Sequence, residues 1–344
     1  MTQRAARDGQ SRPARRQKSA AHAHARDAYQ DVPILQTPTW DNDIAAYFFL
    51  GGISSGAFVL GALADLAGGE ERRGLARAAH LVSFLALLPC PALLIDDLGK
   101  PSRFHHMLRI FKPSSPMNLG SWTLTGHGLF AALRAARSLA EGGRLPLVGR
   151  PVCALPVQAL AVGGLPTALT LGGYTGVLLG TTSIPVWSTS PLLGALFMAS
   201  ALSTGAAATA ITSTLMGNDQ HGDDAMLAPL HLALSCTELA LLGGYLATSG
   251  PAAKPLLHGR EGSLLLGAVA ALIAALVSDI TGMRSPAHRH RCSILASTAV
   301  LIGGACLRWG VVRAGHVSAA DRAGTLAATQ PSRAAPGWGP ADRA

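Results

Sequence analysis

The chain has 344 residues, of which 49% are hydrophobic and only 14% charged, well below the roughly one-quarter charge of soluble domains. With a mean hydropathy of +0.31, this composition excludes a water-soluble enzyme and fits a polytopic membrane protein. Much of the net charge of +9 sits near the ends: in residues 1–39, Arg4, Arg7, Arg12, Arg15, Arg16, Lys18 and Arg26 outweigh Asp8, Asp27 and Asp31. This stretch reads as a solvated, disordered basic tail, not a nucleic-acid arm. No apolar region follows Arg15-Arg16 before Pro38, so it is not a twin-arginine export signal.

Beyond the tail, eight apolar runs are each long enough for a helix across a bilayer. They are Ile44–Leu66, Ala78–Ile95, Asn118–Leu139, Leu155–Leu178, Pro191–Leu215, Leu227–Leu246, Ser263–Gly282 and Ser293–Val312. Between Pro151 and Asn218 there is no Asp, Glu, Lys or Arg at all. Continuous apolar runs, without period-two alternation, favour helices over a barrel. The expected fold is an all-α integral membrane protein with eight transmembrane helices over residues 40–315, followed by a C-terminal tail at 316–344.

A weak repeat divides the membrane domain. Ile53-Ser54-Ser55-Gly56-Ala57 returns as Leu202-Ser203-Thr204-Gly205-Ala206, and His80-Leu81 returns as His231-Leu232. Four runs separate the copies, so the halves (about 40–180 and 185–315) are expected to be parallel-oriented four-helix bundles. Lys and Arg are nearly balanced between odd and even loops, with a slight excess that favours odd loops in the cytoplasm.

The five cysteines, Cys90, Cys153, Cys236, Cys292 and Cys306, include no CxxC pair and no CxxCH. Neither an iron–sulfur cluster nor covalent haem has its ligands here. His105-His106 and His288/His290 lack the further ligands a zinc site needs, so no metal is expected. His80 and His231, at matching depths in the two halves, leave a b-type haem anchor as one alternative.

The segment Asp96–Trp122, reading DDLGKPSRFHHMLRIFKPSSPMNLGSW, is charged, aromatic and longer than a tight connection. Within it, Asp97-Leu98-Gly99-Lys100-Pro101-Ser102-Arg103, Pro113-Ser114-Ser115-Pro116-Met117 and Gly120-Ser121-Trp122 resemble the NrfD/PsrC family. These are the membrane subunits that join molybdopterin and iron–sulfur proteins to the quinone pool. Tyr47-Phe48-Phe49-Leu50-Gly51-Gly52, Tyr174-Thr175-Gly176, Pro185-Val186-Trp187, Arg308-Trp309 and Ala314-Gly315-His316 fit the same family in order, so the resemblance spans about Trp40 to Gln330.

The resemblance implies a membrane anchor of an oxidoreductase complex in the cell membrane. It would carry no prosthetic group of its own, with menaquinone or ubiquinone as exchangeable substrate. An iron–sulfur, ferredoxin-like subunit would dock on the N-terminal face, with a molybdopterin catalytic subunit beyond it. Tyr174 is the leading quinone ligand, with Tyr47, Trp40, Asn42 and Asp43 at the start of the first helix. Where relatives place a histidine or asparagine there, this chain has Asn42 and Asp43 and no histidine. Lys100, Arg103, Arg109 and Trp122 are the expected docking residues.

Glu238 lies deep in the sixth run, where a carboxylate is costly unless paired or protonated. With Asp65 and Asp97 it outlines a route for protons across the membrane. A midplane carboxylate and parallel repeats also suit a secondary transporter, which is the competing function class. A purely structural anchor is the third reading.

Overall fold

In the computed structural model the described residues are 34–98, 100–141, 149–217 and 220–329. Residues 1–33 of the expected tail and 330–344 at the other end lie outside them. Eight long helices carry the fold: α1 (Asn42–Ala67), α2 (Arg73–Leu87), α3 (Pro116–Glu141), α4 (Val157–Gly180), α5 (Leu193–Leu215), α6 (Gln220–Ser249), α7 (Gly259–Arg284) and α8 (Arg289–Ala320). Pro89 and Pro91 interrupt the second run, and a short helix, Cys90–Asp96, completes it.

Seven of these helices are long and apolar enough to cross a membrane, counting α2 with its continuation as one. The remaining one, α3, is as long as α1 but more polar, because Asn118, His127 and several Ser, Thr and Gly residues interrupt its apolar run before Arg134, Arg137 and Glu141 close it. The last helix, α8, runs to Ala320, and a short helix, Arg322–Thr329, follows it.

Helices α1 and α5 form the centre. α1 packs on α2, α4 and α5, while α3 closes against α2 and α4. On the other side α5 meets α6 and α8, and α7 packs on α6 and α8. The two copies of the sequence repeat meet at the crossing of α1 and α5. A Cβ on Gly56 would strike the Ala201 carbonyl, and one on Gly205 would strike the backbone at Gly56 and Ala57. The two backbones therefore touch, as small residues allow in membrane helices. Ser55 ties the same crossing to α4 by donating to the Ala168 carbonyl at 2.7 Å. Outward positions such as Leu63, Leu129, Leu215, Leu266 and Leu295 are exposed. This is the expected inverse of a soluble fold, in which large apolar side chains face hydrocarbon.

The connection from α4 to α5 is not a surface loop. Its short helix, Pro185–Ser188, buries Trp187, whose indole N–H donates to the Val311 carbonyl on α8 at 2.8 Å. Gly315 lies so close to that ring that no side chain fits there. Trp40 stacks on Trp187, with ring centroids 5.7 Å apart, and its carbonyl lies 2.8 Å from His316 Nε2.

Candidate functional site

The first turns of α1 and the end of α4 enclose a narrow cavity of about 40 Å³, with Trp40, Tyr47, Asp97, Met107, Met117, Gly120, Ser121 and Tyr174 in its wall. Four residues singled out by sequence (Trp40, Tyr47, Tyr174 and Asp97) are thus brought together from the N-terminal segment, α1, α4 and the α2–α3 connection. Asn42 is exposed and lines a separate cleft of about 240 Å³ with Glu261, Arg313 and His316. Asp43 does not line the cavity, but its charge reaches Asp97.

The two tyrosines differ in what they offer. Tyr174 donates its hydroxyl to the Pro116 carbonyl at 2.6 Å, so only its lone pairs remain for a ligand. Gly120 makes that reach possible, since a Cβ there would collide with the Tyr174 hydroxyl. Among the described residues Tyr47 makes no side-chain hydrogen bond, which leaves its hydroxyl as the cavity's donor. Asp97 sits just outside the span Arg73–Asp96 and is partly buried. Burial, then the charges of Asp41 and Asp43, raise its pKa above the ordinary carboxylate value.

Beside this cavity runs a larger apolar groove of about 330 Å³, formed by α2, the helix Cys90–Asp96, the 3-10 segment Pro101–Leu108 and α3. Leu94, Met107 and Ser121 belong to both walls. Its volume falls in the range of small-molecule sites. The groove was not apparent in the sequence, because Phe84, Leu88 and Phe104 look like ordinary membrane or loop residues.

Asn118 organises the α2–α3 connection. Its Oδ1 accepts the Lys112 backbone N–H at 2.7 Å, and its Nδ2 donates to the carbonyls of Met107 and Ile110 at 2.7 and 2.9 Å. Trp122 packs edge-on against Phe111 and lies at 3.5 Å from the Ile110 carbonyl. Lys100, Arg103 and Arg109 are exposed on the connection, next to exposed Phe104, Ile110 and Phe111.

The other acidic residues lie elsewhere. Asp65, at the far end of α1, is held by Arg134 Nη2 at 2.7 Å and Nε at 3.0 Å, and lies 2.8 Å from His80 Nε2. This buried cluster joins α1, α2 and α3. Above it, Ser54 Oγ lies 2.9 Å from His127 Nε2 and 3.3 Å from Ser83 Oγ. Phe58 separates the two groups, in edge contact with both His80 and His127. In the second half Glu238 is 1% exposed, and among the described residues neither of its carboxyl oxygens has a partner at full hydrogen-bond geometry, the Ser200 and Ser203 hydroxyls standing nearest. Ser200, Ser203 and Arg308 are its polar neighbours. Arg308 is fully buried, donates to Ser200 Oγ at 2.6 Å and to the Phe197 carbonyl at 3.1 Å, and lies over the Phe197 ring. Among the described residues no group of three or more His, Cys, Asp or Glu side chains stands close enough to hold a metal ion.

This bundle of apolar helices, with a tyrosine-lined cavity under a long α2–α3 connection, defines a multi-pass membrane protein. Residues 32–320 match the polysulphide reductase, NrfD family, and the chain belongs to it. It is 30% identical over 180 residues to a polysulfide reductase chain of Wolinella succinogenes, covering 49% of this chain and 56% of that protein. To a selenate reductase subunit of Mesobacillus selenatarsenatis it is 24% identical over 228 residues, covering 57% and 53%. With a protein NrfD homolog of Haemophilus influenzae it shares 27% identity over 328 residues, covering 84% and 99%. The chain thus spans about half the length of the first two relatives and nearly all of the third.

Proposed function

We propose that this chain is the quinone-reactive membrane anchor of an oxidoreductase complex, passing electrons between the quinone pool and an iron–sulfur subunit on the N-terminal face. The observation that carries this reading is the junction of the tyrosine-lined cavity with the apolar groove. The groove suits an isoprenoid tail, and the cavity suits the head group once the flexible Met107 and Met117 side chains move aside. Tyr47 donates to one quinone oxygen, Tyr174 accepts from the quinol hydroxyl, and Asp97 takes up a proton. Oxidation of one quinol releases two electrons to the partner and two protons, of which Asp97 receives the first. Either menaquinone or ubiquinone fits these groups. The length of α3 and its packing against α2 and α4 support an eighth crossing. The contacts of α1–α4 and α5–α8 support two four-helix bundles joined at Gly56 and Gly205.

The partner belongs on the basic, apolar-studded surface of Lys100, Arg103 and Arg109, with the molybdopterin subunit beyond it. Purification of the tagged protein from its native membrane is expected to bring both subunits with it and to retain quinol oxidation. A protein that purifies alone and stays stable would favour the transporter class instead. Arg103→Glu with Arg109→Glu should release the iron–sulfur subunit in the same purification, and undiminished co-purification would exclude that surface.

Glu238 extends the reading to proton movement. A carboxyl buried in the membrane without a hydrogen-bond partner is costly as an anion, so residues of this kind commonly serve proton traffic. Glu238→Gln should stop proton uptake by reconstituted vesicles while leaving electron transfer within about twofold of the parent rate. Unchanged proton movement would remove Glu238 from any such route.

A further inference from the structure

The end of the molecule opposite the quinone cavity carries a polar cleft of about 220 Å³ that electron transfer does not use. It is lined by Arg72, Arg73, Arg77 and Arg134, with Asp65 and Glu141 as its carboxylates. Both carboxylates are already engaged, Asp65 by Arg134 and His80, and Glu141 by Arg137 at 2.9 Å. The other arginines pair more loosely with carboxylates, although Arg72 Nη1 also donates to the Gly68 carbonyl at 2.9 Å. Arg73 pairs with the exposed Glu70 at 3.0 Å, Arg72 lies 3.5 Å from the exposed Glu71, and Arg77 Nε stands 3.8 Å from Glu141. Such surface pairs contribute little. Among the described residues, two guanidinium groups keep buried N–H donors without a hydrogen-bond partner: Nη1 of Arg134, a residue 3% exposed, and Nε of Arg77.

Two helix N-termini meet at the same cleft. The first turns of α2 supply Arg73, Ala76 and Arg77, and the first turn of α4 supplies Val157 and Gln158. Neither helix has an acidic residue in its first turn, and neither has a side-chain cap. At α2 the Arg73 N–H already donates to the Glu70 carbonyl at 3.2 Å, so that helix offers the positive end of its dipole, while at α4 the leading N–H groups have no partner among the described residues. Arginine forks match the tetrahedral oxygens of phosphate. On the neighbouring turns of α1, Leu63 and Leu66 are exposed, which gives an acyl chain a surface to follow.

We infer that this cleft is a phosphate-binding site, filled by the headgroup of an anionic phospholipid or by free phosphate. It is independent of the quinone reading. In the test, the full-length protein in neutral detergent is titrated with phosphatidylglycerol, phosphatidylcholine or inorganic phosphate, and thermal unfolding is followed. Phosphatidylglycerol is expected to raise the midpoint by on the order of 3 °C and phosphatidylcholine to leave it unchanged. An equal rise with inorganic phosphate assigns the free ion, and none assigns the lipid headgroup. Arg73→Gln with Arg77→Gln should abolish the rise, and Arg73→Gln alone, at a side chain 67% exposed, should weaken it while unfolding at the parent temperature without ligand. The inference is overturned if neither anion stabilises the protein, if phosphatidylcholine acts as well as phosphatidylglycerol, or if the double variant responds like the parent.

Discussion

Replacing Gly205 by leucine is expected to prevent the folded protein from accumulating in the membrane. The substituted Cβ would have to occupy the space of the Gly56 and Ala57 backbone, and no rotamer change relieves that collision. Overpacking a tight core usually costs about 1–3 kcal/mol when side chains can shift, and backbone against backbone has less room to give. Gly205→Ala should therefore lose at least about 3 kcal/mol, and Gly205→Leu more. Gly56→Ala should behave like Gly205→Ala, because it meets the Ala201 carbonyl from the other side. Thermal unfolding of the detergent-purified variants measures this. A Gly205→Ala protein that melts within a degree or two of the parent would mean that α1 and α5 are not in backbone contact. As an internal comparison, Gly243→Ala should be silent, since a Cβ there meets nothing within 4 Å.

The second large effect is expected at Asp97. Asp97→Asn should slow quinol oxidation by the intact complex by about 10²-fold, the usual contribution of a positioned base. The pH profile gives the sharper readout. In the proposed role Asp97 accepts a proton only when ionised, so the rate should rise with pH through the Asp97 pKa. Burial and the nearby Asp41 and Asp43 carboxylates raise that pKa, so the rise should fall above the ordinary carboxylate range. Asp41→Asn with Asp43→Asn removes two negative charges and should move the midpoint to lower pH. Asp97→Asn should abolish this rise. An acid limb that persists in Asp97→Asn would assign the proton to another group. Tyr47→Phe should also slow the reaction, whereas Tyr174→Phe should additionally loosen the start of α3 by freeing the Pro116 carbonyl.

Much of the fold is readable from the residues. Apolar run lengths place the long helices, because hydrocarbon thickness sets a length that sequence displays directly. The repeat around Ser54-Ser55-Gly56 and Ser203-Thr204-Gly205 is also visible. Its purpose is not, because nothing in a linear pattern states that the two copies touch. The aromatic and acidic members of the cavity are legible as separate signals at Tyr47, Asp97 and Tyr174. The difference in their hydrogen bonding is not, since it depends on where Pro116 lies in space. Asp65 and His80 stand out singly, while Arg134 looks like a flanking charge. Their partnership joins residues 15 to 69 positions apart across three helices. Asn118 reads as the first residue of a span, and only the folded connection shows it holding three backbone groups.

The stack of Trp40 on Trp187, with His316 against the Trp40 carbonyl, has a consequence for biosynthesis. Trp40 walls the tyrosine-lined cavity, yet the groups that hold it belong to the α4–α5 connection and to the final long helix. Polypeptides are made from the N-terminus and fold as they emerge. The first four helices thus enter the membrane with one side of the cavity unsecured; Trp187 arrives with the α4–α5 connection, and the His316 contact closes only after α8 has been inserted. Ribosome-stalled or truncated products that stop before α8 would carry every wall residue of the cavity without the His316 contact that fixes Trp40. Insertion of α8 thereby becomes the step that finishes the site.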